Sequence, residues 1–147
     1  MIKDNVIEYK TYSFANRIIK AYKYLIKEQK EHILSQQMLR SGTAIGALVR
    51  EAKFAQSKAD FINKLSIALK EANETKYWLS LLHDNGYIDS NSFQSIFEDA
   101  KEVTAILVSI VKTTKDYANI LKFRIHMIIR SIRYLSTDLL YNMKKTM

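Results

Sequence analysis

The residues with the clearest chemical potential are ionic, and they recur at helical spacing. Arg40 and Glu51 are eleven positions apart, three helical turns, so a helix carries both on one face. Asp60, Lys64 and Glu71 step along one side of a later segment, and Glu71 and Glu74 are one turn apart. Two such carboxylates could divide acid and base roles only inside a pocket that separates their proton affinities. The simpler expectation is an ion-pair lattice between two helices, which fixes their register more than it adds stability. A second group is cationic. Arg17, Lys20, Lys23, Lys27 and Lys30 fall on one face of a helix, and Lys122, Arg124, Arg130 and Arg133 punctuate the C-terminal segment. Rows of this kind attract phosphates without reading bases, the alternative being a merely solvated surface.

Other chemistries lack their residues. There is no cysteine, which excludes thiol catalysis and a disulfide framework and fits a reducing compartment. His32, His83 and His126 belong to different segments, and no Glu precedes a His at the Glu-x-x-His spacing of four-helix metal proteins. Neither a glycine-rich phosphate loop nor a Gly-x-Ser-x-Gly elbow is present. The chain is therefore expected to be no enzyme, with no cofactor and no metal.

The positioning elements follow from what the composition omits. The 147 residues include no proline and only Gly42, Gly46 and Gly86, so tight turns are few and a handful of long helices is favoured. A first helix is predicted from Tyr9 or Ser13 to Lys30, with Phe14, Ile18, Ala21, Tyr22 and Leu25 on its apolar face. The second covers Ile33 to Gln56. Gly42 and Gly46 share one of its faces and mark a close helix crossing. Ser57 and Asp60 form a capping box for a third helix that ends at Asn85-Gly86, a left-handed cap. Asp89 or Ser90 caps the fourth, which meets no breaker. Its seam of Val103, Leu107, Ile110, Thr114, Tyr117 and Leu121 resumes after one extra residue at Ile125, Ile128, Ile132, Leu135 and Leu139. The extra residue predicts a local change of winding. The fold class is all-α: an antiparallel up-down-up-down four-helix bundle over 1–121 with a basic amphipathic helical extension over 122–147.

Charge is concentrated at the ends. Residues 1–30 carry a net +4, residues 31–120 a net −1 and residues 121–147 a net +5. No secretory leader and no apolar run of membrane-spanning length is visible, so the cytoplasm is the expected location.

The runs Leu34 to Ala52 and Asp60 to Leu79 resemble the two signatures of the bacterial four-helix-bundle family named for open reading frames within 23S ribosomal RNA intervening sequences. Gln37, Arg40, Ser41, Gly46, Glu51, Phe61, Lys64, Ala68, Glu71, Glu74 and Trp78 carry the match, which spans roughly Phe14 to Lys115. Leu48-Val49 departs from the family's usual Asn-Ile pair, and any polar site using that Asn is altered. The resemblance implies an up-down bundle assembled as a homo-oligomer, commonly a pentameric ring. It also implies kinship in fold with the accessory protein of diversity-generating retroelements, which binds nucleic acid and a reverse transcriptase. Three functions follow as expectations. The first is binding of RNA or DNA through the basic rows. The second is a protein-interaction adaptor using the C-terminal helix, for example an accessory subunit of a nucleic-acid enzyme. The third sets that helix on a membrane surface, its cations beside its apolar face.

Overall fold

The computed structural model describes the backbone of residues 2–146 and the side chains of residues 6–133. Four α-helices account for nearly all of it: α1 (Ile2–Lys27), α2 (Leu34–Ala52), α3 (Lys58–Asp84) and α4 (Ser90–Thr146). The chain divides into two compact units, Met1–Val111 and Lys112–Met147, each considered by itself below.

In the first unit the cross-helix contacts give the topology. Ile18 meets Gly42, Thr11 meets Gly46 and Lys53 pairs with Glu8, so α1 and α2 run antiparallel. Arg40 reaches Glu74 and Lys64 reaches Glu51, so α2 and α3 do too. Lys10 pairs with Glu102 and Arg17 with Asp99, which sets α4 against α1. The result is an up-down-up-down bundle. Its core contains Phe14, Ile18, Leu25, Met38, Ile45, Leu65, Leu79, Leu82, Val103 and Leu107, drawn from all four helices at spacings of three and four.

Two glycines behave differently at the α1–α2 crossing. A Cβ on Gly42 would fall 2.8 Å from a methylene carbon of Ile18, whose side chain is fully buried and has no room to withdraw. At Gly46 the nearest atoms, those of Thr11, lie at an ordinary 3.6 Å. Only Gly42 is required for close approach.

Helix ends show where sequence spacing falls short. The first helix begins near Ile2 rather than at Tyr9 or Ser13, and Ile7 and Thr11 are buried. It stops at Lys27, three residues before the predicted end, and Lys30 takes a left-handed φ of 55°. The second helix ends at Ala52 rather than Gln56, because Lys53, Phe54 and Ala55 donate to carbonyls three residues back. Its start is capped by Glu31, whose carboxylate accepts from the N–H groups of Ile33, Leu34 and Ser35 at 3.0, 2.8 and 2.7 Å. Burial pushes the Glu31 carboxyl up. The donors of Leu34, Ser35 and Ile33, with the Ser35 hydroxyl, outweigh that effect and hold it below its ordinary value.

At α3 the Ser57 hydroxyl accepts from Asp60 N–H at 3.1 Å, while the Asp60 carboxylate turns back to Gln56 N–H rather than to Ser57. The helix closes in a Schellman motif, with Tyr87 N–H on Leu82 O, Gly86 N–H on His83 O, and Gly86 at φ 80°. Asp89, not Ser90, caps α4 by accepting from Ser92 N–H at 3.0 Å. The extra residue between Leu121 and Ile125 is absorbed without a break in α4.

Two stability measurements check this account. Gly42→Ala should destabilise the fold by about 1–3 kcal/mol through overpacking, whereas Gly46→Ala should be neutral or stabilise by up to about 1 kcal/mol. Loss of the Glu31 cap in Glu31→Ala should cost about 1–2 kcal/mol at neutral pH. Because the folded-state pKa of Glu31 is lowered, this contribution is present above its ordinary value of 4.5 and fades as pH falls through the lower folded value. Denaturant midpoints of variant and parent should converge in acid.

Candidate nucleic-acid interface

The motif residues form one charged seam along α2 and α3. Arg40 forms an ion pair with Glu74 and lies 3.6 Å from Glu71 Oε2. That oxygen is buried and accepts no hydrogen bond, so the nearby guanidinium neutralises its charge without donating to it. Three turns along, Lys64 Nζ is 2.7 Å from Glu51. Beside the Arg40–Glu74 pair, the buried Thr75 hydroxyl lies 2.9 Å from the Ser41 hydroxyl and 2.8 Å from the Glu71 carbonyl. Ser41 reaches the Gln37 carbonyl at 3.1 Å, so every hydroxyl in this buried polar thread has a partner. Leu48, in place of the family Asn, packs against the core.

This seam is electrostatically closed. Trp78 Nε1 donates to Glu74 at 3.1 Å and is the main influence lowering its pKa. Burial opposes it, and the hydrogen bond and charge of Arg40 add to it. The Glu51 contact raises the Lys64 pKa. Glu74 stays a carboxylate and Lys64 an ammonium at neutral pH, with neither poised to exchange a proton. Among the described residues, no group of three His, Asp or Glu side chains is placed to hold a metal ion.

The first cationic row splits in two. Arg17 departs from the outer face: its guanidinium binds Asp99 at 2.5 Å and the Ser95 hydroxyl and carbonyl at 2.8 and 3.2 Å, tying α1 to α4. Lys20, Lys23, Lys27 and Lys30 are exposed. Of these, Lys27 approaches Glu28 at 3.5 Å, and the other three form no ion pair among the described residues. Tyr24 lies within the row with its ring half exposed. Beside it, a cleft of about 580 Å³ is lined by Arg17, Lys20, Tyr24, Asp89, Ser92 and Ser95. The spacing of Arg17 alone could not separate it from the lysines. Only the acidic Asp99 on a distant helix makes the difference.

In the second unit Lys122, Arg124, Arg130 and Arg133 are exposed, as are Ile125, Ile128 and Ile132. The predicted seam residues Leu135 and Leu139 lie outside the side chains described. No helix among the described residues is long and apolar enough to cross a membrane.

An antiparallel bundle with a closed ionic seam between its second and third helices defines a structural class, and sequence comparison supplies the family. Residues 3–109 match the model of the 23S rRNA-intervening sequence protein family, and the chain belongs to it. A crystal structure of a protein with unknown function from the S23 ribosomal protein family of Bacteroides thetaiotaomicron is 57% identical. The match covers 75% of this chain and 98% of that one, with a TM-score of 0.74. Comparison with curated proteins gives no significant match.

Losing the cation should cost more at one end of the seam than at the other. A double-mutant cycle on Arg40 and Glu74 should show coupling of about 0.5–1 kcal/mol, and Arg40→Ala alone should cost about 1–3 kcal/mol because it also strands the buried Glu71 oxygen, an effect that cancels in the cycle. The Lys64–Glu51 cycle, on a pair of similar exposure, should give a similar coupling in the same denaturant titrations, while Lys64→Ala alone should cost no more than about 1 kcal/mol.

Proposed function

We propose that this protein is a non-enzymatic, oligomeric bundle that binds RNA through backbone phosphates, using exposed lysines along the last turns of α1 and in the turn that follows it. The observation that carries this reading is the row Lys20, Lys23, Lys27 and Lys30, whose ammonium groups are almost entirely uncommitted to carboxylates, in contrast to the satisfied ions of the α2–α3 seam. Phosphates of a single strand can track such a row, and the half-exposed Tyr24 ring offers a surface on which a base can stack. The family's name associates its members with ribosomal RNA, which supports RNA over DNA as the polyanion. The exposed Lys122, Arg124, Arg130 and Arg133 add a second basic surface, and assembly into a ring, as the family resemblance implies, would repeat each surface around an axis. A role in the cytoplasm accords with this reading.

A protein-interaction role is the second reading, supported by the exposed isoleucines of the second unit.

Binding of a fluorescent single-stranded RNA, measured across a salt series, tests the first. The logarithm of affinity should fall linearly with the logarithm of salt concentration. Replacing Lys20, Lys23, Lys27 and Lys30 together by Ala should make that slope shallower by about three. Unchanged affinity between low and moderate salt, or an unchanged slope in the quadruple variant, would refute the proposal.

A further inference from the structure

The cleft beside the lysine row is built in layers. Its volume of about 580 Å³ falls in the range of pockets that hold small ligands, about 300–1,000 Å³. Leu25, Ile88 and Ile96 give it an apolar floor and are otherwise buried in the core. Two planar side chains line it and are held by their neighbours. The Tyr24 hydroxyl accepts from Gln29 at 2.9 Å, and the Arg17 guanidinium is bound to Asp99 and Ser95. Two further lining groups are uncommitted. Among the described residues Lys20 forms no ion pair, and the Asn91 side chain forms no hydrogen bond.

This lining selects the chemistry of a ligand. A bare anion would meet Asp89, whose carboxyl is held below its ordinary value by the hydroxyl and then the N–H of Ser92. A wholly apolar molecule would bring nothing to the Lys20 ammonium or the Asn91 amide. A nucleotide brings a flat ring for the floor and the planar walls, an edge of donors and acceptors for Asn91, and a phosphate for Lys20. Lys20 and Tyr24 are one helical turn apart and belong both to the cleft and to the row assigned to phosphates, so the cleft opens onto the path of the strand.

We propose that this cleft is a nucleotide site that receives one unstacked base of the bound RNA strand, its ring on Leu25, Ile88 and Ile96, its edge on Asn91 and its phosphate on Lys20. The proposal rests on the phosphate-binding reading above and adds to it a contact with a base. The test compares a mixed-sequence single-stranded RNA with an abasic strand of the same length and charge, both added to the full-length protein. RNA should bind at least about fivefold more tightly than the abasic strand at the same salt. Asn91→Ala, an exposed change in the first turn of α4 to a better helix former, should weaken RNA binding about three- to tenfold. It should leave the salt slope, which the lysines set, unchanged. In NMR spectra RNA, but not the abasic strand, should shift the methyl resonances of Ile88 and Ile96 and leave those of Ile45, which does not line the cleft, in place. Equal affinity for the two strands with unmoved methyls would overturn the cleft proposal and leave the phosphate reading standing. Failure of both strands to bind would remove both. Polyglutamate that moves the same methyls as RNA does would assign the cleft to an acidic peptide, and shifts with free adenosine monophosphate but not with RNA would assign it to a free nucleotide. Either would overturn the proposal.

Discussion

The contact between Ile18 and Gly42 sets the spacing on which the bundle depends. Without a Cβ at position 42, α1 and α2 approach until a buried, β-branched side chain rests on bare backbone. That approach places Thr11 over Gly46 and Glu8 within reach of Lys53. The opposite side of α2 is then free to engage α3 through Arg40, Ser41 and Glu51. One helix thus presents a small-residue face and an ionic face to its two neighbours, and the register of both pairs is fixed by side chains too short or too charged to slide.

The two charged regions of the molecule have opposite characters. In the α2–α3 seam nearly every ion is matched, and the one buried oxygen without a hydrogen bond faces a guanidinium. Such a region orders helices and has no spare valence for a ligand. Towards the end of α1, Lys20, Lys23 and Lys27 are exposed, and only Lys27 approaches a carboxylate, that of Glu28. A family-signature motif and a candidate interface need not coincide, and here they lie on different helices.

Much of this was legible in residue spacing. The absence of proline, the scarcity of glycine and the three-and-four apolar rhythm specify four helices. Local signals such as Ser57 with Asp60, and Asn85-Gly86, mark their ends because a single turn decides them. What stayed hidden depended on partners distant in sequence or on a cap of an unusual residue type. The start of α1 carries mixed charges at its first residues, and only the burial of Ile7 and Thr11 shows that it packs. Glu31 lies before the helix it caps, three residues ahead of Leu34, where Ser, Thr, Asp or Asn would be the usual cap. Arg17 shares its phase with the lysines, yet Asp99 and Ser95 claim it from α4.

The closure of α1 against α4 has a further implication. The other helix pairings described join neighbours in the chain, whereas Lys10–Glu102 and Arg17–Asp99 bridge separations of 92 and 82 residues. This seam therefore bears the largest loop-closure entropy in the bundle, and partly exposed ion pairs are among the contacts that hold it. It is the natural parting line of the fold.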